Sequence, residues 1–294
     1  MRIKKWMIIA LALAVPMLMA ACSRNNEEAG KAEEETGTSY SQEAVKAVSE
    51  AAKAGRAVFM GAFETGGSRI KEEAEKVRKE AFRAQVKEME AGTVLSEEDL
   101  EGIDTENLFT SEEIPDRVFE RMEGVSFGQG CVTPRDQLRY LRVLHKDFNG
   151  DTCIGEIVCN RDIAEDLIYI FRELYKADYP IEKIRLVDDY DGDDELSMED
   201  NNTSCFNFRP VAGTGHLSKH AYGRAIDINP LYNPYITSSG YTPVNAGDYV
   251  DRSAENPYKI DEEDLCYRLF RERGFIWGGS WNSVKDYQHF QKSE

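Results

Sequence analysis

The sequence predicts a charge-rich helical section followed by a globular body that mixes helix with strand. Three observations carry this. Ala, Glu, Lys and Arg dominate from Gln42 to Ala54 and from Arg69 to Ala91. Ile163, Leu167, Ile170, Phe171 and Leu174 recur at the spacing of one helix face. The stretch IEKIRLVDDY, after Tyr179-Pro180, alternates Ile184 and Leu186 with Lys183 and Arg185, which is the period of a strand. At 294 residues and 41% hydrophobic content, the chain has room for one sizeable domain plus an appendage, or two small domains.

At the start, Arg2, Lys4 and Lys5 precede an apolar run from Trp6 to Ala21, the layout of a secretory signal rather than of a spanning helix. The run ends in Leu18-Met19-Ala20-Ala21-Cys22 and turns at once into the polar stretch SRNNEEAGKAEEETGTS. This resembles a bacterial lipoprotein signal, whose cleavage leaves Cys22 as a lipid-bearing N-terminus. An ordinary cleaved signal is the alternative, because Met19 stands where Leu is more usual. The expectation is a signal over residues 1–21 and a flexible, Glu-rich tether over 22–41. Such a protein is exported and lipid-anchored to the bacterial cell membrane, facing the cell wall.

Loss of residues 1–21 removes three positive charges and takes the net charge from −18 to −21. So acidic a chain speaks against nucleic-acid binding. Five cysteines remain beyond Cys22, namely Cys131, Cys153, Cys159, Cys205 and Cys266, with no CxxC pair, so a zinc knuckle is not indicated and no disulfide is assigned.

Residues 42–112 read as a helical spacer or stalk rather than a separate binding module. Ile70, Ala74, Val77, Ala81 and Met89 fall near helical spacing, with Ser68 placed to cap and Gly92 to terminate. The Gly-rich FMGAFETGGS between the two helical stretches has the composition of a hinge. Near Ile114-Pro115 the texture changes to mixed aromatic and aliphatic residues, so the globular domain is placed over residues 113–294, with an amphipathic helix from Ile163 to Lys176. The acidic stretch YDGDDELSMEDNN lacks the ligand spacing of a calcium loop and reads as a solvated turn.

Chemistry concentrates where imidazole does. Of the four histidines, His145 in YLRVLHKDFNG reads as structural, while His220 lies in SKHAYGRAID, seven residues before Asp227 with Gly223 and Ala225 between. Imidazole nitrogen and carboxylate oxygen are both good zinc ligands, but a catalytic zinc site takes three protein ligands and an open position. His289, in WGGSWNSVKDYQHFQ, is placed to be the third, with Asp286 three residues before it. The rival pair His216 and His220, at i and i+4, is not supported, because Leu217 stands between them in place of a glutamate and Gly213, Gly215 and Gly223 speak against a helix. His216 is read as a rim residue. Ser218 lacks a nucleophile elbow and reads as a supporting residue.

The pattern Ser-x-His-x-x-Gly-x-Ala-x-Asp, followed by Trp-Gly-Gly-x-Trp and Asp-x-x-His-Phe, resembles the zinc D-Ala-D-Ala peptidases of family M15. These include D-alanyl-D-alanine carboxypeptidases and L-alanyl-D-glutamate endopeptidases. The resemblance extends upstream through SMEDNNTSCFNFRPVAGT. It implies an α+β domain, with a small, mostly antiparallel sheet flanked by helices in a hedgehog/DD-peptidase-like zinc fold. It implies that His220, Asp227 and His289 bind Zn2+, that Asp286 is the general base, and that Arg209 is a catalytic cation near the substrate. Ser218 then fixes the loop or contacts substrate. Gln291 departs from the pattern, since a glutamate often follows His-Phe.

The function so implied is hydrolysis of peptidoglycan stem peptides by a zinc-activated water, most simply as a D-alanyl-D-alanine carboxypeptidase. Alternatives are an L-alanyl-D-glutamate endopeptidase, a catalytically silent cell-wall binding lipoprotein, or a lipoprotein acting mainly through the helices of residues 42–91. The expected partners are peptidoglycan peptides and, through the N-terminal lipid, a membrane.

Overall fold

The computed structural model describes residues 73–211 and 215–293. The expected signal, Cys22, the tether, the helix over 42–54 and the cap at Ser68 lie outside the described residues. Two compact units divide between Ala84 and Gln85. The first is described over residues 73–84, which are helical and carry a Glu75–Lys79 ion pair one turn apart at 2.7 Å. This helix, α1, runs over residues 73–88. It stops short of the expected Ala91, and Gly92, at φ +84°, turns the chain into the first strand.

The second compact unit begins at Gln85, well before residue 113. The physical reason is that β1 (Val94–Leu95) and β2 (Thr110–Glu112) are too short to show a period in sequence, yet both are outer strands of its largest sheet. That sheet is antiparallel, in the order β1-β4-β3-β2. Its centre is a hairpin of two nine-residue strands, β3 (Leu138–Lys146) and β4 (Thr152–Asn160). The turn between them is held by Asp147, whose Oδ1 accepts from the backbone N–H of Asn149 and Asp151, both at 2.9 Å. Arg142, buried on β3, donates to the carbonyls of Met89 (2.6 Å) and Val86 (3.1 Å), so residues 86–89 are bound to the sheet by charge-assisted bonds.

Short helices and one long one flank the sheets. They are α2 (Glu97–Leu100), α3 (Asp116–Met122), α4 (Arg161–Lys176), α5 (Asp194–Glu199) and α6 (Leu265–Glu272). The Asn160 side chain caps α4, and Ile163, Leu167, Ile170, Phe171 and Leu174 are all buried, as their spacing predicts. The expected strand after Pro180 is shorter than its alternation suggests. Only Lys183–Ile184 (β5) pairs, in parallel with Asn202–Thr203 (β6), and Val187–Tyr190 winds into a 3-10 turn. The acidic stretch is likewise more ordered than a solvated turn, since the Asp193 side chain accepts from Leu196 N–H and starts α5.

Two further antiparallel sheets complete the α+β architecture. One has the order β10-β12-β7, from Ile276–Trp277, His289–Gln291 and Ala225–Asp227. The other has the order β11-β8-β9, from Lys285–Asp286, Tyr235–Thr237 and Gly240–Thr242. Strands are therefore mostly antiparallel, as expected, but shared among several small sheets. His145, on β3, is buried and donates from Nδ1 to the Ile181 carbonyl at 2.7 Å, which bears out a structural role.

Candidate metal centre

The large hairpin anchors the turn that carries His220, and Asp227 and His289 sit on paired strands of a smaller sheet. His220 lies in a 3-10 turn, Lys219–Tyr222, whose N-cap is Ser218, with its hydroxyl accepting from His220 N–H at 3.3 Å. The turn closes at Gly223, at φ +64°. Only glycine serves there, because a Cβ would lie 2.6 Å from the backbone nitrogen of Asn160. That close approach lets Asn160, the last residue of β4, donate from its backbone to Gly223 O (2.8 Å) and from its side chain to Tyr222 O (3.1 Å).

Asp227 ends β7 and His289 begins β12, and in the register of that pair they face each other directly. Residues 62 apart in sequence thus become cross-strand neighbours, with His289 Nδ1 3.0 Å from Asp227 Oδ1. His220 Nε2 is 3.2 Å from Asp227 Oδ2 and 3.2 Å from His289 Nδ1. All three residues are buried. Among the described residues this is the one group of three or more His, Cys, Asp or Glu side chains arranged to hold a metal ion.

The donor set fits a tetrahedral cation. Nitrogen and oxygen ligands at about 2.0–2.1 Å from zinc stand roughly 3.3 Å apart along a tetrahedral edge, close to the three spacings seen. The proton inventory points the same way. His220 Nδ1 is 2.6 Å from the Cys205 carbonyl, which only accepts, so the proton is there and the Nε2 lone pair faces the centre. His289 Nε2 is 3.1 Å from Gln291 Oε1, so its proton lies outward and its Nδ1 lone pair faces inward. Two nitrogen lone pairs and a carboxylate converging in a buried space repel one another unless a cation lies between them. The same field draws a proton. Burial opposes charge on His289, yet the Asp227 carboxylate raises its imidazole to about 9. Burial also works against ionised Asp227, but the His220 and His289 imidazoles hold its carboxyl well below the usual range.

Asp286 lies beside this group on β11, where it pairs with Tyr235 of β8. Its Oδ1 is enclosed and, among the described residues, has no hydrogen-bond partner. Burial lifts its carboxyl to about 7, with the His289 imidazole opposing the shift and the Asp227 carboxylate adding to it. Arg209 is close enough for its charge to act on the Asp286 carboxyl, and it is ion-paired with Asp194 at 2.5 Å. Trp281 packs its ring 5.4 Å from that of His289, and Trp277 donates from Nε1 to Tyr287 O at 2.9 Å, tying down the residue after Asp286. His216 is exposed, with its carbonyl accepting from Val211 N–H at 2.8 Å.

The structure therefore brings together His220, Asp227, His289 and Asp286, with Ser218 beneath His220 and Arg209 near Asp286. Sequence reasoning overlooked Gln291 as the acceptor on His289, although strand alternation places residues two apart on one face. It also overlooked Asp194, one acid among many in its segment, for which no local pattern marks a partner.

Two imidazoles and a carboxylate converging in a buried space, with a further carboxylate beside them, have the donor chemistry of a metal site. The comparison with known families agrees. Residues 212–292 match the peptidase family described as D-alanyl-D-alanine carboxypeptidase, and this stretch of the chain is a domain of that family. It contains His220, Asp227, Asp286 and His289, whereas Arg209 lies just upstream. No curated protein and no solved structure matches the chain.

Proposed function

We propose that the chain is a zinc-dependent peptidase that hydrolyses peptidoglycan stem peptides, foremost as a D-alanyl-D-alanine carboxypeptidase, on the outer face of a bacterial membrane to which Cys22 anchors it. The observation that carries this reading is the convergence of three metal-type donors beside the enclosed, unpartnered Oδ1 of Asp286, within the stretch that matches the peptidase family. His220, Asp227 and His289 are the residues that hold the ion, and zinc suits two imidazoles and a carboxylate.

When bound, zinc supplies Lewis acidity, which polarises the scissile carbonyl and makes a water acidic enough to attack near neutral pH. Asp286 accepts the proton of the attacking water at Oδ1 and delivers it to the leaving amine as the C–N bond breaks. Arg209 offers its guanidinium to an anionic oxygen of the substrate, either a terminal carboxylate or the oxyanion that develops on attack. Gln291 and the Cys205 carbonyl fix the tautomers of the two histidines, and Ser218 fixes the turn that carries His220.

Mass spectrometry of products from defined muropeptides, with zinc present, tests the reading. Release of the terminal D-alanine supports it. Scission between L-alanine and D-glutamate assigns the endopeptidase instead, and intact muropeptides assign a silent wall-binding protein.

A further inference from the structure

The Arg209 guanidinium is not left to find its own place. Its Nη2 meets Asp194 Oδ2 at 2.5 Å, and both side chains are mostly enclosed, at 26% and 22% exposure. Asp194 is itself fixed. It opens α5, whose preceding residue Asp193 caps it and whose Ser197 hydroxyl accepts from Asn202 Nδ2 at 3.0 Å.

Arg209 belongs to a segment that runs alongside the metal-binding turn. Asn207 N–H donates to the His220 carbonyl at 3.2 Å, and Ser218 N–H donates to the Arg209 carbonyl at 3.1 Å. Both side chains reach one turn, Asn207 through Nδ2 to Gly192 O at 3.3 Å and Arg209 to Asp194.

The ion pair occupies one edge of the guanidinium. Among the described residues, Nε–H is enclosed and has no partner, and the same holds for Oδ1 of Asp286. An enclosed donor and an enclosed acceptor, each unpaired, are the two groups that an incoming peptide's oxygen and the attacking water would satisfy. A long side chain contributes to binding or to the transition state only when it is held in a productive geometry.

We propose that Asp194 is a positioning residue, which holds Arg209 so that its remaining N–H groups meet an anionic oxygen of the substrate. The proposal rests on the peptidase reading of the site. Asp194 does not touch the reacting atoms and acts only through Arg209.

The test uses the full-length, zinc-loaded protein and an acyl-D-Ala-D-Ala peptide. Asp194→Asn should lower kcat/KM by about tenfold, the loss of one well-placed charge-assisted bond, with zinc stoichiometry and urea midpoint unchanged. Asp194→Glu should restore part of the loss. The loss falls on KM when the oxygen is the substrate's carboxylate, and on kcat when it is the developing oxyanion. In an Arg209→Met background the Asp194→Asn change should have no further effect. As a readout free of turnover, calorimetry on Asp286→Asn protein should show weaker peptide binding after Asp194→Asn when the oxygen is the carboxylate, and equal binding when it is the oxyanion. A kcat/KM within threefold of the parent for Asp194→Asn overturns the proposal, as does an equal loss with Arg209 absent. Failure of the zinc-loaded parent to cleave any wall peptide overturns the peptidase reading, and the proposal with it.

Discussion

Replacing Gly278 by alanine should disable the reaction while leaving the metal in place. A Cβ at Gly278 would lie 2.6 Å from the carbonyl oxygen and 2.7 Å from the Cβ of Asp286, against an ordinary limit near 3.4 Å. Backbone cannot rotate away as a side-chain tip can, so β11 must move by about 0.8 Å to relieve the first contact. The displaced residue is Asp286, the proposed base, and a misplacement of about 1 Å costs on the order of 100-fold in rate. The three atoms nearest the new methyl all belong to Asp286, and none to His220, Asp227 or His289. The assay is D-alanine release from an acyl-D-Ala-D-Ala peptide at saturating zinc, with bound zinc measured on the same sample. The expected result is kcat lowered about 100-fold with one zinc retained. A kcat within threefold of the parent would refute the reasoning that Gly278 sets the place of Asp286.

Three other predictions concern separate parts of the molecule. Asp286→Asn should keep zinc and lower kcat by about 10²–10⁴-fold, the usual worth of a general base, as read by the same assay. Gln291→Ala should weaken zinc about 10–100-fold, because His289 loses the acceptor that fixes its tautomer. Chelator competition measures this, and affinity within twofold of the parent would contradict it. His145 should make the fold sensitive to acid. Burial pushes its imidazole down to about 4, opposed by its bond to Ile181 O and the charge of Asp147 and aided by Arg185. The folded state thus favours neutral His145, whose stabilisation is complete above the unfolded pKa near 6.5 and is lost as pH falls towards 4. In full this amounts to roughly 3 kcal/mol. Urea midpoints from pH 7 to 4 should fall less steeply for His145→Leu than for the parent, and parallel slopes would rule the cause out.

How much of this was legible in sequence depended on the length of each element. Helix α4 announced itself because its buried face recurs over sixteen residues. The strands that build the centre are two or three residues long, too short for any period to register. What marked them instead was residue chemistry, since histidine is scarce and each occurrence carries weight. His220, Asp227, Asp286 and His289 could be named without any view of the turn and the two sheets that carry them. Length also hid β1 and β2, which lie in a polar stretch and gain their meaning only by pairing with β4 and β3. The Arg209–Asp194 pair spans fifteen residues within an acidic segment, where tertiary structure alone selects one partner from several equivalent carboxylates.

Stepwise return of zinc to chelator-treated protein, with D-alanine release followed at each addition, tests the account most directly. Activity should start near zero, rise in proportion to bound zinc and level off at one equivalent, while His289→Ala protein stays flat throughout. Full activity in the chelated parent, or a rise in His289→Ala that matches the parent, would contradict a metal-dependent peptidase built on His220, Asp227 and His289.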